Sequence, residues 1–437
     1  MPVQPSGRLE PLPALIQEAL PLLHRLAANG YQAFFVGGCV RDAAAGRPLA
    51  DVDIATSALP ADVMELFPDS IPTGLQHGTV TVKTGGKLYE VTTFRTESGY
   101  ADHRRPQEVE FIADLHGDLL RRDFTVNAMA LDPKGTIIDP FHGLEDLRSG
   151  VIRAVGTPRS RFTEDALRMI RAIRFASVFG FSISHRTWKA LRECAPLLRY
   201  IAMERVGAEL DKMMKGPSPA SAAAWLHASG LLSHTKEPLP PAFTAARPAA
   251  LGGLALLPDA DDRWAALSLA LEADSKSAGQ LFRRLKFSKA RADALMSKLI
   301  FHEAVDAEAK EWWSNPEPDD FSMRKMWVSA ALACGITAVR SWLDMTERMT
   351  RLPERPERLA RLRQWTMQIP ENGVASLNVD GREIAGKLQE RPGPWLGALM
   401  RRLLLEVAMD HVANEREPLL DWCRQWSREK ENEHHER

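Results

Sequence analysis

The chain has little cysteine: four in 437 residues, at Cys39, Cys194, Cys334 and Cys423. They stand far apart, with none of the close spacing of a metal site and no disulfide framework. They read as free thiols of a reducing compartment. Long apolar runs are missing too. None approaches 18 residues, so no membrane span and no membrane partner is expected. The opening stretch MPVQPSGRLEPLP lacks a basic segment followed by an apolar one, the pattern of a secretory signal. Net charge is also lacking: 56 basic against 57 acidic residues leave −1 at pH 7. A chain so balanced has no global attraction for nucleic acid, and any such partner must be held by local clusters of Arg and Lys. These absences predict a cytoplasmic protein. Its length suggests two to four domains, and its composition, 45% hydrophobic and 26% charged, is that of an ordinary globular chain.

What is present divides unevenly. The first ~150 residues carry strand-like runs at 32–38, 51–56, 79–84 and 87–95, the last two joined by Gly85-Gly86, a good hairpin turn. Helical patterns fit 12–29, 40–46, 60–67 and 117–130. This mixture predicts an α/β or α+β head with a small sheet. Beyond about residue 157 the strands stop. Helical periodicity fits 162–180, 185–194, 204–215, 218–230, 260–274, 277–286, 288–302, 321–333, 335–350, 354–367, 380–388 and 394–413. The Pro/Ala-rich stretch 236–253 reads as a loop, and residues 427–437 as a frayed polar tail. No fixed-period repeat is visible.

The stretch GGCVRDAAAGRPLADVDIAT (37–56) carries the first chemistry. Gly37 and Gly38 end a strand before a short helix. Without side chains there, backbone N–H groups can approach a triphosphate. Arg41 lies one turn further and adds a cation. Asp51 and Asp53 sit two apart on a strand and so share a face. Side by side they repel unless a cation lies between them, and oxygen-preferring Mg²⁺ is the natural choice. Glu90 is either a third carboxylate on a neighbouring strand or a surface partner for Arg95. His77 reads as a turn or packing residue. In RRDFTVNAMA (121–130), Arg122 is placed to contact a triphosphate, and Asp123 and Asn127 to brace the site; an Arg121–Asp123 structural pair is the blander expectation.

A third segment, RFTEDALRMIRAIRF (161–175), reads as a half-buried helix, yet Asp165, Arg168, Arg171 and Arg174 recur every third residue. Gly-Gly-x-x-Arg-Asp followed by Asp-x-Asp, then RRDFTVNAMA and EDALRMIRAIRF, resembles the polymerase-beta-like nucleotidyltransferases, and within them the class II CCA-adding enzymes and bacterial poly(A) polymerases. The resemblance covers about residues 30–180 and continues more loosely through 203–216 and 378–400. It implies an α+β chain: a small mixed-sheet nucleotidyltransferase head over 1–156, then an all-helical neck (157–233), body (234–333) and tail (334–437), the tail binding tRNA. It implies template-independent addition of C, C and A to tRNA 3′ ends from CTP and ATP. By motif position, Asp51 and Asp53 would be the catalytic metal ligands. Gly38, Arg41 and Arg122 would contact the sugar-triphosphate, and Asp165, Arg168, Arg171 and Arg174 would recognise the nucleotide.

The chemistry of the bases gives that row a purpose. Cytosine and adenine both present an amino donor beside a ring-nitrogen acceptor, whereas uracil and guanine present a carbonyl beside an N–H. A carboxylate only accepts and a guanidinium only donates. One Asp with one Arg, three apart on a helical face, accepts C and A and repels U and G. Arg171 and Arg174 then reach toward phosphates or orient the first pair, while Glu164 reads as a first-turn acid for the helix dipole. The stretch 94–117, with Tyr100, Asp102, Arg104 and Arg105, reads as a flexible loop. In the family that loop helps switch the pocket from C to A, and it shows no deletion here. The stretch after the neck motif, RFASVFGFSISH, lacks the basic run ending in His-Val of the poly(A) polymerases, which favours tRNA over poly(A) tailing. RNA contacts are expected from Arg and Lys clusters at 340–363 or at Arg382, Lys387, Arg391, Arg401 and Arg402, although the first cluster fits helix-surface pairing equally well. No obligate protein partner is implied. The rival readings are an A-adding enzyme working beside a CC-adding one, a poly(A) polymerase, and a non-catalytic RNA-binding protein on the same fold.

Overall fold

A computed structural model describes residues 5–100, 106–244, 251–349, 355–371 and 373–435. The chain forms two compact units. One comprises residues 1–247 with 284–286; the other comprises 248–283 with 287–437.

The first unit holds the sheet. Strands β1 (Pro5–Arg8), β2 (Ala33–Val36), β3 (Asp53–Thr56), β4 (Ser70–Gly74), β5 (Thr79–Thr84), β6 (Lys87–Thr93), β9 (Ala130–Leu131) and β10 (Thr136–Ile138) lie in the order β1-β10-β9-β2-β3-β6-β5-β4, and β7 (Arg95–Tyr100) with β8 (Pro106–Phe111) forms a separate hairpin. Only β3 and β6 run parallel within the larger sheet, with Asp53 opposite Glu90; the other pairs are antiparallel. The head is therefore a small mixed sheet, as the sequence suggests. Helices α1 (Ala14–Ala28), α2 (Gly38–Ala44) and α3 (Pro60–Leu66) supply Ile16, Leu22, Leu26, Val40 and Val63 to a core shared with Phe35, Ile54, Val80 and Val91 of the strands. Alternation along β5 and β6 aims those valines at one face, which is what a half-covered sheet requires.

Three departures matter for the site. The stretch 94–117 is not a loop but the β7–β8 hairpin, with Arg95 opposite Phe111 and Tyr100 opposite Pro106; Asp102, Arg104 and Arg105 lie outside the described residues. The helix expected over 117–130 ends early. Helix α4 (Leu115–Leu120) is capped by Asp114, and a 3-10 turn at Thr125–Asn127 and then β9 follow. The neck helix expected over 162–180 is broken in two. Helix α6 (Pro158–Glu164) and helix α7 (Leu167–Phe179) flank Asp165, whose backbone is extended (φ −135°, ψ 104°). Between α4 and α6 lies α5 (Gly143–Ser149). After α7 come α8 (His185–Cys194), α9 (Met203–Lys215) and α10 (Pro219–Ser229).

The second unit is helical throughout its described residues. Its longest helix runs Lys289–Ser314, twelve residues past the expected end, because Phe301, Val305, Ala309, Trp312 and Trp313 keep one face buried and no breaker intervenes before Pro316. The carboxy-terminal helix Arg416–His435 replaces the frayed tail expected there. No helix among the described residues is long and apolar enough to cross a membrane.

Candidate active site

A cleft of about 500 Å³ opens in the first unit. Gly37, Gly38, Arg41, Asp51, Asp53, Arg122, Asp165, Arg168, Arg171 and Arg174 all line it, joined by Asp42, Arg121, Asp123, Asn127, Phe175 and Arg205. Segments more than a hundred residues apart therefore meet in one place. Seven arginines face five aspartates there, a local positive excess in a chain whose total charge is −1. That excess suits a polyanion.

The floor is built by β2 and β3. Gly37 adopts φ +74°, and a Cβ on it would come within 2.8 Å of the Arg122 Nη1, so glycine is required both for the turn and for the close approach. β3 starts at Asp53; Asp51 precedes it, exposed, while Asp53 is half-buried. Burial, together with the charges of Asp51 and Glu90, pushes the Asp53 carboxyl up to about 6 against the pull of Arg122. Glu90 thus adds to the acidic field from the adjacent strand without lining the cleft. Crowded carboxylates of this kind are the donor set a hard divalent cation prefers. Among the described residues no three His, Cys, Asp or Glu gather to hold a metal unaided. The set fits an ion that takes its remaining oxygens from water and a phosphate ligand, as Mg²⁺ does.

Arg41 is held by two neighbours through three of its N–H groups. It donates through Nε (2.9 Å) and Nη2 (2.7 Å) to the Asp42 carboxylate and through Nη1 to Asn127 Oδ1 (2.5 Å). A guanidinium has five N–H groups, so two remain for a ligand. Asn127 in turn donates to Asp123 (3.0 Å), which also accepts from Arg171 (2.8 Å). Burial raises the Asp123 pKa, but the Arg171 charge, the Asn127 hydrogen bond and the Arg168 charge outweigh it and hold the carboxyl at about 2. The sequence suggests an Arg121–Asp123 pair. Arg121 and Arg122 instead share fully buried Asp118, at 2.7 and 3.2 Å, and the Arg122 Nε is buried without a partner. His77 sits in a 3-10 turn, where its carbonyl accepts from Arg95.

The Asp165–Arg168 arrangement differs from the sequence expectation. The two side chains are not neighbours on one helix face but are anchored separately. Asp165 accepts from Arg205 of α9 at 2.8 and 3.2 Å and from the Leu167 N–H at 3.1 Å. Arg168 donates to Glu164 (2.6 Å) and to the carbonyls of Arg161 (3.2 Å) and Arg121 (2.8 Å). Glu164, read as a helix-dipole acid, is thus the acid that holds both Arg168 and Arg161. Arg174 pairs with buried Glu209 at 2.6 Å. Arg205 and Glu209, four apart on α9, each reach across to the 161–175 segment. Their spacing in MERVGAELDKMMKG reads locally as an intrahelical ion pair, which is why sequence alone did not assign them.

Three sequence families match the chain: "Poly A polymerase head domain" over 33–153, "Probable RNA and SrmB- binding site of polymerase A" over 180–240, and "tRNA nucleotidyltransferase domain 2 putative" over 257–423. The chain is 36% identical to the CCA-adding enzyme of Limosilactobacillus reuteri and 39% identical to that of Geobacillus thermodenitrificans, each time across 95% of this chain and 98% of the relative. The Bacillus stearothermophilus CCA-adding enzyme solved in complex with CTP superposes with a TM-score of 0.79 at 35% identity, covering 97% of this chain and all of that one. The Thermotoga maritima CCA-adding enzyme complexed with tRNA shares the fold at 19% identity, with a TM-score of 0.65 and coverage of 96% and 98%.

Proposed function

The chain belongs to the CCA-adding enzyme family, and from that premise we infer that it adds C, C and A to the 3′ end of tRNA, using CTP and ATP and releasing pyrophosphate. It is a nucleotidyltransferase. The observation that supports this most is the single cleft in which an Asp-x-Asp pair and a row of arginines face one another. On this reading residues 1–156 form the catalytic head, 157–233 the base-recognising neck, and 234–333 and 334–437 the body and the tRNA-binding tail. The setting is the cytoplasm.

Nucleotidyl transfer in this family uses a divalent metal, and we assign Mg²⁺ to it, held by Asp51 and Asp53. When bound, the metal lowers the pKa of the attacking hydroxyl and offsets charge on the pyrophosphate. Arg41 and Arg122 bind the triphosphate with their unused N–H groups, and Gly37 and Gly38 leave the backbone open to it. The tRNA 3′-hydroxyl gives its proton to water as its oxygen bonds to the α-phosphorus, and the bond from that phosphorus to the bridging oxygen breaks, so that pyrophosphate leaves. Positioning and charge do the catalysis, with no covalent enzyme intermediate.

Base choice follows from the unused valences of two side chains. Asp165 keeps one acceptor position on Oδ2, since two of its bonds fall on Oδ1 and one on Oδ2. Arg168 keeps its Nε–H and one Nη2–H. One acceptor and one donor are what the pairing edge of cytosine or adenine demands. Uracil or guanine would set carbonyl against carboxylate and N–H against guanidinium, at a cost of about 1–3 kcal/mol for each unmet group. Arg171 and Arg174, held by Asp123 and Glu209, line the same cleft beside this pair. The test is incubation with tRNA lacking its terminal CCA and with labelled CTP and ATP, separately and together. Sequential C, C and A incorporation is expected. A alone, on tRNA already ending in CC, would mark an A-adding enzyme; long A tracts would mark a poly(A) polymerase.

A further inference from the structure

Phe179 occupies the last turn of α7, half-buried at the edge of the first unit and outside its buried core. Two guanidinium groups sit against its ring: Arg41 at 4.6 Å and Arg47 at 4.4 Å from the centroid. The ring stacks on Phe175, 5.6 Å away and tilted by only 17°, and Phe175 carries Arg174 at 4.0 Å, Arg171 at 5.2 Å and Arg41 at 5.4 Å. The hydrogen bonds of Arg41 to Asp42 and Asn127 hold the edge of its guanidinium, and the Phe179 ring adds a contact on its face. An aromatic face beneath the group adds to their resistance to tilting, because the ring quadrupole attracts the cation.

We propose that Phe179 is a positioning residue of the nucleotide site: it holds the Arg41 guanidinium flat, so that its two unused N–H groups stay aimed at the triphosphate. The inference rests on the reading of Arg41 as a triphosphate contact. Its consequence is mechanical. The helix that carries Arg168 and Arg171 at its start grips the triphosphate arginine at its end, so base reading and triphosphate binding share one rigid element. The contact is the same whichever nucleotide is bound, so its loss weakens CTP and ATP alike and leaves base choice alone.

The test is steady-state kinetics of the full chain on tRNA lacking CCA (CTP addition) and on tRNA ending in CC (ATP addition). Phe179→Leu keeps an apolar side chain but removes the ring. It is expected to raise KM for CTP and for ATP by the same factor, roughly three- to tenfold, with kcat and the rejection of UTP unchanged. Phe179→Trp should restore both KM values. If Leu and Trp variants lose kcat and melting temperature together while KM stays at the wild-type value, the residue is only packing and the proposal fails. Arg41→Ala separates the two layers. If it raises both KM values and Phe179→Leu does not, the inference alone is overturned. If Arg41→Ala also leaves KM unmoved, the assignment of Arg41 falls and the inference falls with it.

Discussion

Asp165 uses three of its four acceptor positions on the protein itself, two of them on Arg205. Arg205 therefore fixes the direction in which the last acceptor points. Replacing it by Ala should lower kcat/KM for CTP about tenfold, by loss of one charge-assisted positioning bond, while UTP incorporation changes little; comparing the two nucleotides on one tRNA measures this. Replacing Asp51 or Asp53 by Ala should abolish addition of both nucleotides, by at least about a thousandfold, since a metal contributes several kcal/mol to such a reaction. Single-turnover rates would show it, and substantial turnover by either variant would break the metal assignment. Asp123 gives a pH-dependent consequence. Its folded-state pKa, at about 2, lies below the unfolded value near 3.9. Its contribution is thus present above pH ~4 and is lost as pH falls through about 2, to the extent of roughly 2 kcal/mol. Asp123→Asn should flatten the acid limb of a stability-against-pH profile over that window, read by urea unfolding.

At the scale of elements, the strand that starts at Asp53 and the motif-bearing turns are legible because Gly, Asp and apolar alternation are local signals. The break at Asp165 is not. Phe162, Ala166, Leu167, Met169, Ile170 and Ile173 are all buried, so the apolar pattern of one continuous helix runs straight through it. What ends α6 is tertiary: the Asp165 carboxylate is drawn to Arg205 on another helix. The β7–β8 hairpin is hidden for the converse reason: RTESGYADHRRPQEVEF is polar over most of its length, and its one alternating run, Glu108 to Phe111, spans only four residues. Helix α9 holds the 161–175 segment through Arg205 and Glu209, and it packs closely: a Cβ on Gly207 would lie 2.4 Å from the Leu285 carbonyl oxygen. Gly207→Ala should destabilise the protein by about 1–3 kcal/mol. It should also raise the KM for both nucleotides as α9 shifts Arg205 and Glu209. Thermal melting with parallel kinetics tests both.

Across the whole molecule, the near-zero net charge leaves tRNA binding to local surfaces, and the ion pairs sort the two candidate clusters. Arg340, Arg361 and Arg363 are paired with Glu371, Asp320 and Glu347, and Arg358 is buried against the carbonyls of Trp312 and Asn315. Arg351 lies outside the described residues. The first cluster is therefore largely helix-surface pairing, which contributes little to stability and less to RNA binding. Among the described residues Arg382, Lys387, Arg391, Arg401 and Arg402 make no ion pair and are free to meet phosphates. Arg401→Ala with Arg402→Ala should weaken tRNA binding and reduce the slope of log affinity against log salt by about 1.5–2. Arg361→Ala with Arg363→Ala should leave both unchanged; filter binding at several salt concentrations compares them. The central claim, that side chains and not a nucleic-acid template select the incoming base, is tested most directly by one ratio. That ratio is CTP over UTP incorporation on tRNA lacking CCA, for the wild type and for Asp165→Ala. The account predicts strong rejection of UTP by the wild type and a ratio lower by roughly ten- to a hundredfold in the variant. An unchanged ratio in an active variant would contradict it.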